Sequence, residues 1–257
     1  MQFKMLKKIK YKKTFLLIIL LIIAVVYIKY IYKSQEYFSA VNNNNPETVV
    51  VLHGISKDNR ITYLLSKRLS EAGFEIYNIS YPYKNETIQD ISDFLHKKII
   101  DLGIDKKEKI NFVGHSMGGL IIRNYIHKYH PKNLHRVVMV ATPNHGSELA
   151  DKLQNWKIYK WKFGTVSAKQ LGTDQFNLKN AFGNVNYELG IIAGKTWWNP
   201  IFSYILPGED DGIVSVESTK LDGMKEHIIL NFPHTTGIMK KSVANNVIKF
   251  LKNGTFK

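Results

Sequence analysis

The chain contains no cysteine, so neither disulfides nor thiol chemistry are available to it. No acidic residue occurs before Glu36, whereas residues 1–33 hold eight lysines. Of the formal net charge of +15, that segment therefore supplies eight and the remainder +7. The high isoelectric point is about half a property of the N-terminus. There is no internal repeat and no sign of a second folded domain. No basic run interleaved with aromatics argues for a nucleic-acid partner. What remains is a length of 257 residues, enough for one large domain with a substantial core.

Six lysines precede Thr14, and Phe15 to Ile28 is an unbroken apolar run. Residues 14–32 are long enough to predict one membrane crossing, with Lys29 snorkelling and tyrosines at the headgroup level. The lysine block then predicts a single-pass anchor with the following domain extracytoplasmic. A cleaved signal peptide and a secreted chain is the alternative; Phe38, two places before Ala40, fits cleavage poorly. Residues 34–46, ending in Asn-Asn-Asn-Asn-Pro, read as a polar linker, and residues 47–257 as the folded domain.

Within that domain, apolar strands alternate with helical spacing. Thr48–Leu52, Phe74–Ser80, Ile110–Val113 and Val137–Ala141 read as strands, and residues 60–72, 87–102 and 119–130 as helices. Later, Tyr187–Ala193 and His227–Phe232 read as strands and residues 240–252 as a last helix. Strands without polar alternation are covered on both faces, so the pattern predicts a mostly parallel sheet with right-handed crossovers. Active sites in such sheets lie at the C-terminal strand ends, where His53, Ser116 and Thr142 fall. Residues 147–186 break the alternation. Trp156, Tyr159, Trp161 and Phe163 cluster there among lysines, as expected either for a cap or lid over the site or for ordinary core packing.

The chemistry centres on Gly114-His115-Ser116-Met117-Gly118, placed between a strand and a helix. A serine in that setting is a nucleophile elbow, a strained turn that only glycines can pass closely. A serine hydroxyl needs a base, and in such folds the order along the chain is serine, acid, histidine. Position removes most of the nine histidines. Those before the serine are in the wrong order; His127 and His130 lie on or at the end of the following helix; His135 opens a strand; His145 is poorly placed and His227 falls inside a strand. His234 sits in a loop directly after a strand, as a base requires. Glu209, Asp210 and Asp211 are all placed to orient it, and spacing does not choose among them. Oxyanion stabilisation needs two backbone N–H donors; Met117, after the serine, and Ile55, on the loop after the first core strand, are in position.

The blocks VVLHGI (50–55), FVGHSMGGL (112–120), ATPNHGSELAD (141–151), DDGIVSVES (210–218) and PHTTG (233–237) are together similar to those of bacterial lipases and esterases of the α/β-hydrolase superfamily. The third and fourth resemble those of secreted triacylglycerol lipases. The resemblance implies an α/β-hydrolase fold, Ser116 as nucleophile, His234 as base, Asp211 as acid, and Ile55 and Met117 as oxyanion donors. It implies a carboxylic ester substrate, lipidic or smaller, cleaved through an acyl-enzyme without metal or cofactor. The chain is shorter than the calcium-dependent secreted lipases, does not match their calcium ligands and lacks their disulfide. Acyl transfer to an alcohol on the same residues, or a non-catalytic binding role on the same scaffold, are the rival functions.

Overall fold

The computed structural model describes residue 19 and residues 34–173, 182–196 and 204–257. Its centre is a seven-stranded sheet in the order β1-β3-β2-β4-β5-β6-β7, with every pairing parallel except that of the edge strand β1. The strands are β1 (Tyr37–Phe38), β2 (Thr48–Leu52), β3 (Glu75–Ile79), β4 (Ile110–His115), β5 (Leu134–Val140), β6 (Glu188–Lys195) and β7 (Glu226–Asn231). Helices α1 (Tyr63–Glu71), α2 (Ile88–Asp101) and α3 (Met117–Tyr129) alternate with the first strands. The short α4 (Glu148–Leu153) and α5 (Lys157–Phe163) follow β5. Then come α6 (Val216–Thr219), α7 (His234–Gly237) and α8 (Lys241–Asn253).

Strand β2 shows why the sheet forms. All five of its residues are buried, so alternate side chains must find apolar cover on both sides. Val49 and Val51 join Leu65 and Leu69 of α1 and Val243 and Val247 of α8. Val50 and Leu52 join Ile88, Ile91 and Leu95 of α2 and Leu120 and Ile121 of α3 on the other face. Each fully buried aliphatic side chain contributes about 1.5–3 kcal/mol relative to exposure. Local signals fix the helix starts: Thr87 and Asp90 form a reciprocal capping box at α2.

Two expectations change. The segment read as a linker carries β1, in which Tyr37 and Phe38 pair with Tyr77 and Ile76 and Phe38 is buried. The single-pass anchor over residues 14–32, and the extracytoplasmic placement built on it, is corrected: among the described residues no helix is long and apolar enough to cross a membrane. The longest of them, α2, has 14 residues and an exposed polar face, short of the roughly 20 apolar residues a crossing needs. Apart from Ile19, residues 14–32 themselves lie outside the described residues.

Candidate active site

Strand β4 delivers Ser116 to the C-terminal edge of the sheet, and the chain turns at that residue into α3. Ser116 has φ 53° and ψ −126°, a conformation that L-residues rarely adopt and that the surroundings must impose. The neighbouring glycines explain how. A Cβ on Gly114 would lie 2.5 Å from the Gly119 nitrogen, and one on Gly118 would lie 2.6 Å from the His53 carbonyl oxygen. The turn is thus wedged between β2 and the first turn of α3, with no room for side chains on either flank. The Ser116 N–H donates to the Val140 carbonyl at 2.9 Å, tying the turn to β5.

His234 opens α7, directly after β7, as the order of the chain requires. Its Nε2 lies 3.0 Å from Ser116 Oγ, and its Nδ1 lies 2.7 Å from Asp211 Oδ2. An ionised carboxylate only accepts, so Nδ1 carries the hydrogen and Nε2 is left to accept from the serine hydroxyl. Asp211 is itself fixed. Its Oδ1 accepts from the N–H groups of Ile213 and Val214, at 3.1 and 2.9 Å. The His234 N–H donates to the Asp211 carbonyl at 2.9 Å. All three side chains are buried. This arrangement can move a proton from Ser116 Oγ to the imidazole and stabilise the imidazolium that results.

The other two carboxylates point elsewhere. Asp210 Oδ1 accepts from Gly212 N–H at 2.6 Å, and Glu209 pairs with Lys195 on the surface at 3.0 Å. The two expected oxyanion donors sit beside the serine. Met117 is the first residue of α3, so its N–H has no intrahelical acceptor. Ile55 follows Gly54, where a Cβ would lie 3.0 Å from the Ser116 Cβ, so this loop packs flat against the serine.

Two histidines that order along the chain sets aside belong to the same neighbourhood. His53, fully buried at the end of β2, donates from Nδ1 to the Gly54 carbonyl at 2.8 Å and accepts from the Tyr81 N–H at 3.4 Å. Its ring stacks on Tyr81, with centroids 4.1 Å apart, and the Tyr81 hydroxyl donates to the His53 carbonyl. The loop carrying Ile55 is thereby held from behind. His115, beside the serine, places Nε2 3.0 Å from the His234 carbonyl oxygen. The only signal for either in the sequence is a polar residue closing an otherwise apolar strand.

Burial pushes His53 down from 6.5 to about 4, and burial together with the nearby His234 pushes His115 down from 6.5 to about 3. As pH falls through 6.5, an unfolded chain takes up a proton at each, whereas the folded chain takes up none until near those lowered values. Stability is therefore expected to fall with pH between about 6.5 and 4, at up to about 1.4 kcal/mol per pH unit for each histidine. His227, also lowered by burial, acts in the same direction. Urea midpoints measured from pH 7.5 to 4.5 test this. A flat profile down to pH 5 would show that these side chains are not buried neutral.

Among the described residues of 147–186, Ala150, Leu171 and Phe182 join the buried core, whereas α5 has no buried residue. On α5, Tyr159 turns inward and contacts Phe163, with ring centroids 4.7 Å apart, whereas Trp156 and Trp161 are 63% and 79% exposed. No acid stands between Lys152 and Thr173, against four lysines. Residues 174–181 of this stretch lie outside the described residues.

Comparison with known proteins places this geometry in context. The model of a family described as having the alpha/beta hydrolase fold matches residues 47–210. A triacylglycerol lipase of Pseudomonas fragi is 31% identical over 123 residues, which is 45% of this chain and 40% of the lipase. The match thus spans less than half of that relative's length. Among solved structures, mature Bacillus licheniformis lipase superposes with a TM-score of 0.69 at 20% identity, covering 85% of this chain and 98% of that one. A thermophilic esterase of Thermogutta terrifontis gives a TM-score of 0.56 at 14% identity, with 85% and 92% covered. At such identities the likeness is one of fold.

Proposed function

Since this chain belongs to the α/β-hydrolase family, we propose that it hydrolyses carboxylic esters, lipidic or acyl esters among them, with Ser116 as nucleophile, His234 as base and Asp211 as the acid that orients it. The observation that carries this is the continuous Ser116–His234–Asp211 hydrogen-bond chain, 3.0 and 2.7 Å long. Ser116 Oγ attacks the ester carbonyl carbon while His234 Nε2 takes its proton. The N–H groups of Met117 and Ile55 receive the oxyanion. The imidazolium then protonates the leaving alkoxide, and an acyl group remains on Ser116. Water, deprotonated by the same nitrogen, attacks the acyl carbonyl, releases the carboxylic acid and restores the serine. The names of the similar lipases and esterases point to the same chemistry. A panel of p-nitrophenyl esters from acetyl to palmitoyl tests the activity and ranks acyl lengths; absence of turnover on every ester would overturn it.

The cap is the part of this reading that bears on acyl length. Exposed Trp156 and Trp161 are available to cover an acyl chain, at ~25 cal/mol per Å² removed from water. If each covers on the order of 50 Å², replacing either with alanine costs long-chain esters about tenfold in kcat/KM and leaves acetyl esters nearly unchanged. Because both side chains are exposed, stability should shift by no more than about 0.5 kcal/mol for each. Parallel melting and ester assays check this. An equal loss across chain lengths at unchanged melting would place the defect in the chemistry and not in acyl binding.

A further inference from the structure

His115 presents a puzzle of polarity. It ends β4, directly before Ser116, and is buried. A carbonyl oxygen only accepts, so the 3.0 Å contact with the His234 carbonyl requires the hydrogen on Nε2. Nδ1 is then bare, buried and without a partner. A bare ring nitrogen carries the full desolvation cost of an unmet acceptor. Leucine at this position would fill space without that cost, so packing alone does not explain a histidine. The glycine that faces it is equally constrained: a Cβ on Gly54 would lie 3.1 Å from Nδ1.

We propose that His115 is a positioning residue for the base, its Nε2–H bond to the His234 carbonyl locking the segment that carries the imidazole onto the strand that carries Ser116. The inference rests on the reading of Ser116 and His234 as nucleophile and base. Asp211 holds His234 at two points, the backbone N–H at 2.9 Å and Nδ1 at 2.7 Å. Both of these bonds run to one residue, Asp211. His115 supplies a third point from β4, adjacent in the chain to the oxygen that Nε2 must meet at 3.0 Å. Separation of nucleophile and base is then set by one residue's reach. The donor also has to be uncharged. The two imidazole rings lie 5.1 Å apart, and a lysine or arginine there would repel the imidazolium formed during turnover. Burial, which pushes His115 down to about 3, keeps its ring neutral.

The test compares His115→Leu, His115→Gln and His115→Asn. A glutamine amide nitrogen reaches the position of Nε2 and can donate to the same carbonyl; an asparagine amide stops short. The readouts are kcat per site titrated with a fluorophosphonate, KM for p-nitrophenyl butyrate, and melting temperature. His115→Leu should lower kcat about 10- to 100-fold, the scale of a small misplacement of reacting groups, with KM unchanged and melting no lower. His115→Gln should recover most of the loss. A leucine variant with wild-type kcat overturns the proposal, and so does equal impairment of leucine and glutamine variants, which would assign the effect to ring packing. If the leucine variant does not fold, the order glutamine above asparagine in kcat is the expected result, and equal values overturn it. Failure of the underlying site reading shows itself separately, as phosphonate labelling of wild-type enzyme at a residue other than Ser116.

Discussion

Ser116→Ala is expected to lower kcat on p-nitrophenyl butyrate by on the order of 10⁶, the scale at which removing the nucleophile from such a hydrogen-bonded set acts. Melting temperature is expected to stay within a few degrees. The two expectations separate because of how the turn is built. The unusual φ of 53° at Ser116 is imposed by its surroundings: the Gly114 and Gly118 contacts, the backbone bond to Val140 and the loop of Gly54. None of these needs the hydroxyl. Removing Oγ deletes one 3.0 Å bond to His234 and leaves the wedge intact. The N–H groups of Met117 and Ile55 also remain, so a residual rate above water is expected from the oxyanion site. Intact-mass labelling with a fluorophosphonate should disappear with the hydroxyl. Activity retained within tenfold of wild type would remove Ser116 from the chemistry.

Most of this site is legible in the chain because its signals are local. Glycines on both sides of Ser116, an apolar run before it and a helical run after it all act within ten residues. His234 is reachable because the order of the chain asks for a histidine directly after a late strand. The choice among Glu209, Asp210 and Asp211 was not reachable from spacing. Adjacent residues in a turn differ only in where their side chains point, and that depends on the meeting of the turn with α7, some 20 residues away. Contacts over still longer separations were equally silent. Strand β1 is two residues within a polar stretch, and what makes it a strand is its pairing with Tyr77 and Ile76. Order along the chain excludes His115 because it precedes the serine, yet its partner is the carbonyl of His234, 119 residues further on. Residues 157–163 show a limit of periodicity itself. Helix α5 has seven residues, less than two full turns, too few for the sequence to say that Tyr159 faces inward and Trp161 outward.

Asp211→Asn is expected to cost on the order of 10⁴ in kcat, whereas Asp210→Asn should leave kcat within a few-fold. Both aspartates are buried and both bond backbone N–H groups, so burial does not separate them. Direction does. Asp211 turns Oδ2 to His234 Nδ1 at 2.7 Å, whereas Asp210 folds Oδ1 back on Gly212 N–H at 2.6 Å. In Asp211→Asn, Oδ1 can still accept from Ile213 and Val214, so the turn keeps its shape. The amide nitrogen then falls where Oδ2 was and donates toward His234. The imidazole must answer with a bare Nδ1, which moves its hydrogen to Nε2, facing the serine. A nitrogen bearing a hydrogen cannot take the serine proton, and the counter-charge to the imidazolium is lost as well. The kcat loss should therefore come with unchanged KM and unchanged melting. Asp210→Asn keeps an Oδ1 to accept from the Gly212 N–H and has no bond to His234, so little effect on kcat per titrated site is expected. If Asp210→Asn abolishes turnover and Asp211→Asn does not, the acid has been assigned to the wrong residue, even though the geometry of Ser116 and His234 would stand.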